Sequence, residues 1–210
     1  MSAKPDDIVA DLLDRHGRTF AAELGIDLDS ATPAALFQWL CAALLMSARI
    51  STDLAMAAAR ALIEAGWTTP EKMAEAGWQA RVEALSAAGY ARFDESTARM
   101  LGETSEMLIS EYGGDLAALR AAAENAPAAE RRRLKALKGI GDVGADIFLR
   151  EVQTLWTENY PFADRKSLKA AGRLGLPDTA AGLAGCVPRA RFPALLAALI
   201  RADLAGETRK

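Results

Sequence analysis

The run Leu137-Lys138-Gly139-Ile140-Gly141-Asp142-Val143-Gly144-Ala145-Asp146 constrains the fold of this chain more than any other stretch. Upstream of it, Glu130 to Leu137 is charged and helix-prone. Downstream, from Val143 to Leu155, apolar residues recur at helical spacing: Ile147, Phe148, Val152 and Leu155. Gly139 and Gly141 permit a turn too tight for side chains, and Ile140 between them can pin that turn onto a core. The pattern predicts two helices joined by a short hairpin. Such a hairpin presents uncommitted backbone N–H groups where the second helix begins, and a phosphate fits that anion site.

Nearly all the remaining segments read as helix. Ile8 to His16 is amphipathic and ends at Gly17. Thr32-Pro33 opens a helix with a cap and a first-turn proline, running through Phe37, Leu40, Leu44 and Leu45. Further helices are predicted from Thr52 to Gly66, from Thr69-Pro70, from Arg81 to Ala88, from Asp94 to Tyr112, and from Leu116 to Asn125. The last two are Ser167 to Leu174 and Pro188 to Leu204, with an irregular loop from Thr157 to Phe162 before them. No alternating run supports a sheet, so the expectation is an all-α fold. Phe37, Trp39, Trp67, Trp78 and Trp156 fit core positions. The chain lacks an apolar run of about eighteen residues or more, so no membrane helix is expected. Met1 to Arg15 lacks an apolar signal core, which points to a cytoplasmic protein. Cys41 and Cys186 are too few for a metal cluster and read as apolar thiols.

The net charge is −3 and the pI about 5.4. Nucleic-acid binders usually carry a basic surface, so this balance weighs against DNA unless a local patch dominates. Arg131, Arg132, Arg133, Lys135 and Lys138 form such a patch beside the hairpin, or else a solvated helix face. Asp142 and Asp146 follow, and repel phosphate unless they are paired.

The hairpin resembles that of the helix-hairpin-helix DNA glycosylases, the superfamily of endonuclease III. Its turn there typically reads L-P-G-V-G. Two further features match in order. Leu44-Leu45-Met46-Ser47-Ala48-Arg49-Ile50-Ser51-Thr52 looks like that family's L-L-S-A-Q-x-T segment, and Gly89-Tyr90 looks like its G-[LY]-Y turn. The resemblance spans roughly residues 32–204. It implies two all-helical domains. Residues 31–157 form a six-helix domain ending in the hairpin, and residues 1–30 join 158–210 in the second. It also implies a monomer in the cytoplasm that binds double-stranded DNA and excises a damaged or mismatched base.

Carried over residue by residue, the resemblance gives each position an expected role. Asp164 becomes the catalytic carboxylate, stabilising the oxocarbenium-like sugar and orienting or deprotonating water. As a lone Asp before a helix it also reads as an N-cap, and the two roles are compatible. The amides of Gly139, Gly141 and Gly144 would face a phosphate, with Ile140 and Lys138 in the same turn. Arg49 would fill the space left by an everted base, and Tyr90 would be the wedge beside it. Carbonyl groups of Lys135, Leu137 and Ile140 would hold a monovalent cation, sodium or potassium. Val143 stands where lyase-active members have Lys, which implies a monofunctional, water-using enzyme. With only Cys186 in the C-terminal half, an iron–sulfur cluster is not expected. Two readings compete: a non-catalytic helix-hairpin-helix DNA-binding protein, and a helical protein-interaction module.

Overall fold

Apolar periodicity along almost the whole chain leaves helix packing as the way to bury it, and the computed structural model, which describes residues 4–208, is built that way. Every regular element among the described residues is helical: α1 (Pro5–His16), α2 (Phe20–Glu23), α3 (Pro33–Met46), α4 (Thr52–Glu64), α5 (Pro70–Glu75), α6 (Gly77–Ala87), α7 (Asp94–Tyr112), α8 (Leu116–Ala122), α9 (Pro127–Ala136), α10 (Asp142–Val152), α11 (Arg165–Arg173), α12 (Ala180–Ala184) and α13 (Phe192–Leu204). The fold is all-α.

Local chemistry accounts for the helix starts. Thr32, Ser51, Thr69, Asp115, Asp164 and Thr179 each accept a backbone N–H with the side chain at an N-cap. Proline occupies the first turn of α1, α3, α5, α9 and α13, where its missing N–H costs nothing. Several boundaries differ from the sequence reading. Helix α9 starts three residues earlier than expected, at Pro127. Helix α6 begins at Gly77, not Arg81. The stretch from Pro188 splits into a 3₁₀ turn, Arg189–Arg191, followed by α13. The short helices α2 and α12 have too few turns to show periodicity.

The chain divides into two compact units. One is residues 24–148; the other combines residues 1–23 with 149–210. The expected limits were 31 and 157. The division falls inside α10, because that helix's last residues bind partners belonging to the split unit, as described below.

In the unit of residues 24–148, α3 is buried nearly all round, from Ala35 to Leu45. That explains its lack of a polar face. Helix α7 packs against α5 and α6, and α3 against α4 and α8. Phe37 and Trp39 are core residues, as expected. The Trp39 indole N–H donates to the Phe148 carbonyl at 3.2 Å. Trp78 departs from the expectation: it is 41% exposed, its indole N–H donating to the Glu95 carbonyl at 3.2 Å. In the split unit, α13 packs against α1 and α11. Its core gathers Val9, Leu12, Leu183, Phe192, Leu195, Leu196 and Leu199. Among the described residues, no helix is long and apolar enough to cross a membrane.

Candidate functional site

The hairpin connects α9 to α10 as the sequence predicted. The Ile140 amide donates to the Leu137 carbonyl at 3.1 Å, closing the turn. Ile140 itself is 3% exposed, so it anchors the turn in the core. Gly139 has φ +80°, a region that L side chains rarely adopt. A Cβ there would also come within 2.7 Å of the Met100 sulfur and 3.0 Å of Leu44. The turn is pressed onto α3 and α7 by this contact, and the Thr104 hydroxyl donates to the Lys138 carbonyl at 2.7 Å. Gly141 differs from Gly139: a Cβ there would meet nothing within 4 Å, and the residue is exposed.

Among the described residues, no backbone acceptor takes the amides of Gly141, Asp142, Val143 or Gly144. The first three are exposed at the start of α10. Gly144 is buried, packed near Ile140 and Ser47, so the expected solvent-facing place for it gives way to a packing role. Val143 is 56% exposed and carries no nucleophile.

The expected basic patch is largely committed to internal partners. Arg131 reaches Asp146 at 2.6 Å and Asp142 at 3.1 Å, and Lys135 reaches Asp142 at 2.8 Å. Arg132 bonds the Ala128 carbonyl in its own helix, and Arg133 the Tyr112 hydroxyl. Lys135 and Arg131 beside Asp142 hold its carboxyl below the usual range. The two acids next to the hairpin are thus neutralised by the bases of α9. Lys138 remains exposed in the turn.

The segment carrying Arg49 adjoins the hairpin, since Ser47 Cβ lies 3.7 Å from the position a Cβ would take on Gly144. Arg49 is exposed, with no ion pair among the described residues. Tyr90 contradicts its expected role. It is 2% exposed, its hydroxyl donates to the Leu45 carbonyl at 3.3 Å, and a ring so enclosed cannot stack on a base.

A depression of about 470 Å³ between α6 and α7 is lined by Trp78, Arg81, Arg99, Glu103 and Glu106. Arg81 is spent there on structure, donating to the carbonyls of Met73 (2.6 Å) and Ala98 (2.9 Å).

Asp164 lies in the split unit. The loop before it is fixed by Gln153, which is fully buried. The Gln153 amide accepts from Phe162 N at 2.9 Å and donates to the Phe162 carbonyl at 3.0 Å. The Tyr160–Pro161 peptide is cis. Arg150 sits in the last turn of α10, three residues before Gln153, which follows the helix end, and its Nε donates to Asp164 Oδ2 at 2.7 Å. The Ser167 hydroxyl donates to the same oxygen at 2.8 Å. Asp164 Oδ1 accepts the amides of Lys166 (2.9 Å) and Ser167 (3.1 Å), capping α11. The carboxylate thus accepts four hydrogen bonds while 6% exposed. Burial pushes its pKa up, but the Arg150 charge and the Ser167 hydrogen bonds outweigh burial and hold it below the ordinary value. Arg150 and Gln153 were not singled out in the sequence. Two long polar side chains in the apolar run that ends α10 were the available signal.

Next along α10, Glu151 is buried and accepts the Phe20 and Ala21 amides at 2.8 and 2.9 Å, capping α2. Burial pushes its carboxyl up to about 7. Arg201 holds Glu23 and lies 4.2 Å from the Phe20 ring centroid. These contacts, all within the split unit, tie its N-terminal and C-terminal parts together. His16 belongs there too, 3.1 Å from Glu207.

A solved complex of endonuclease III with DNA, a trapped covalent intermediate holding an estranged adenine, matches this chain with 20% identity. The match covers 78% of this chain and 71% of that one, at a TM-score of 0.49. At that overlap the likeness assigns no activity to this chain. No family model matches the sequence, and no curated protein does.

Proposed function

We propose that this protein is a DNA-binding repair glycosylase. On this reading the hairpin engages the phosphate backbone of double-stranded DNA and Asp164 serves base excision by a monofunctional route. The observation that carries the reading is the hairpin: a turn locked by Gly139 and Ile140, followed by the exposed residues Gly141, Asp142 and Val143, whose amides no backbone acceptor among the described residues takes. Those amides and the helix start suit an anionic phosphate. The pairing of Asp142 and Asp146 with Arg131 and Lys135 removes the repulsion that their sequence suggested. Lys138 and Arg49, both exposed, supply positive charge on the same unit.

The hairpin carbonyls also suit a monovalent cation. Among the described residues, Lys135 and Ile140 carbonyls accept no backbone donor across the turn, and Leu137 accepts one. Such a cation would bridge backbone dipoles to a phosphate.

In the proposed reaction the C1′–N bond of one nucleotide breaks and its electron pair leaves with the base. Water forms the new bond to C1′, and its proton ends on the departing base. Asp164, anionic at neutral pH and fixed by four hydrogen bonds, opposes the positive charge that builds on the sugar. Its lowered pKa makes it a poor general base, so its role is electrostatic, with orientation of water as the accompanying part. Val143, lacking an amine, leaves no Schiff base at that position, and the strand stays intact after base loss.

One observation favours a second reading. The Arg150 guanidinium already neutralises Asp164, which fits a purely structural cap in a non-catalytic DNA-binding protein. A panel of duplexes, each with one lesion, assayed for alkali-labile abasic sites separates the two. Release from any duplex supports the glycosylase. Duplex binding with no release from any lesion supports the second reading.

A further inference from the structure

The charge of this chain is divided unevenly. Residues 24–148 carry twelve basic and seventeen acidic residues, while the split unit carries thirteen basic and eleven acidic. The excess in the split unit is concentrated: residues 165–191 contain six basic residues against Asp178 alone. One of the six, Arg173, is offset by α13, where Asp203 pairs with it at 2.7 Å, and Lys166 is near enough for its charge to act on the same carboxylate. The other four, Arg165, Lys169, Arg189 and Arg191, are exposed and have no ion pair among the described residues.

Arg189 is held in place without being neutralised. Its guanidinium carbon lies 4.5 Å from the centroid of the Tyr160 ring, and its Nη2 donates to the Thr157 carbonyl at 3.3 Å. Tyr160 is itself fixed edge-on to Phe192, with centroids 5.6 Å apart. A guanidinium braced by an aromatic ring and a carbonyl keeps donors for an anion and loses little rotamer freedom on meeting one. Arg191 follows in the same 3₁₀ turn. Arg165 opens α11 on the other side of the loop that Tyr160 begins, and Lys169 lies one turn further on the same helix face.

We propose that Arg165, Lys169, Arg189 and Arg191 form a second contact surface for the phosphates of duplex DNA, separate from the hairpin and carried by the other unit. The inference rests on the DNA-binding reading above and adds where the positive charge for it resides. The contacts are to backbone only, so they give affinity and salt dependence without reading sequence.

The test is the salt dependence of binding to an undamaged duplex, with wild type compared against Arg165→Gln/Lys169→Gln and Arg189→Gln/Arg191→Gln. Each neutralised phosphate contributes about 0.9 to the slope of log affinity against log salt. Each double variant is expected to fold normally and lower that slope by about 1 to 2, with roughly tenfold weaker binding at low salt. A wild-type slope in both variants overturns the surface, as does an unchanged duplex slope combined with lost binding to phosphatidylserine vesicles. Excision is not the readout, so the two readings fail separately. A lowered slope with no base release from any lesion leaves this surface standing and removes the enzymatic reading. An unchanged slope in variants of an excising protein removes the surface alone.

Discussion

Arg150 Nε donates to Asp164 Oδ2 at 2.7 Å, and both side chains are almost wholly buried. A buried charge pair of this kind adds little net stability over an apolar pair, but removing one partner leaves an uncompensated buried charge. Arg150→Leu is therefore expected to destabilise the fold by about 3 kcal/mol. The double change Arg150→Leu/Asp164→Asn should cost less than the sum of its parts. Urea denaturation of the four proteins measures this coupling, and strict additivity would show that the pair is not formed in solution.

Stability should also change with pH through Glu151. Its folded pKa of about 7 lies above the ordinary 4.5. The native state then binds more protons between those values, so stability falls as pH rises from about 4.5 to 7 and levels off above. Glu151→Gln removes this dependence, and the difference between the two proteins should change by roughly 3 kcal/mol across that window. Asp164 acts in the opposite sense. Its pKa is lowered from 3.8, so its contribution is present above that value and is lost as pH falls further. Urea midpoints from about pH 2 to 8 for wild type, Glu151→Gln and Asp164→Asn separate the two limbs.

The two hairpin glycines should respond differently to substitution. Gly139→Val places a side chain at φ +80° and against Met100 and Leu44, so it should lose stability before binding can be read. Gly141→Val has open space around the new Cβ and should keep stability within about 0.5 kcal/mol. The β-branched side chain then shields the amides at the start of α10, and affinity for all duplexes should fall by a similar factor. Titration with several duplexes checks this. Unchanged affinity would place the DNA contact elsewhere.

No borohydride-trapped adduct is expected on abasic DNA, because Val143 supplies no amine at the start of α10. Efficient trapping would point to another amine, with exposed Lys138 the first to examine.

The parts of this fold that local chemistry decides were legible in the chain. Thr32-Pro33 and Thr69-Pro70 mark helix starts through caps and first-turn prolines. The Gly139-Ile140-Gly141 turn appears as predicted, because a buried Ile between two glycines leaves few other conformations. What depended on distant partners was not legible. Tyr90 looks like a loop aromatic, but its ring is enclosed and its hydroxyl reaches Leu45, 45 residues earlier. Arg131 and Lys135 look like a basic patch until α10 folds back and brings Asp142 and Asp146 to them. Asp164 was legible as an N-cap and a carboxylate of interest. Its ion pair was not, because Arg150 lies fourteen residues away and only the path of the loop between them brings the two together.

The central claim is that Asp164 contributes its charge to base excision. The direct measurement is abasic-site formation by wild type and Asp164→Asn on the lesion duplexes, with folding of both verified. Asn caps a helix about as well as Asp, so α11 should persist although Arg150 loses its partner and overall stability falls, while the charge opposing the oxocarbenium-like sugar is lost. Excision should fall by at least about a hundredfold, with binding to undamaged duplex unchanged or slightly tighter. A folded Asp164→Asn protein that excises at the wild-type rate would contradict the account.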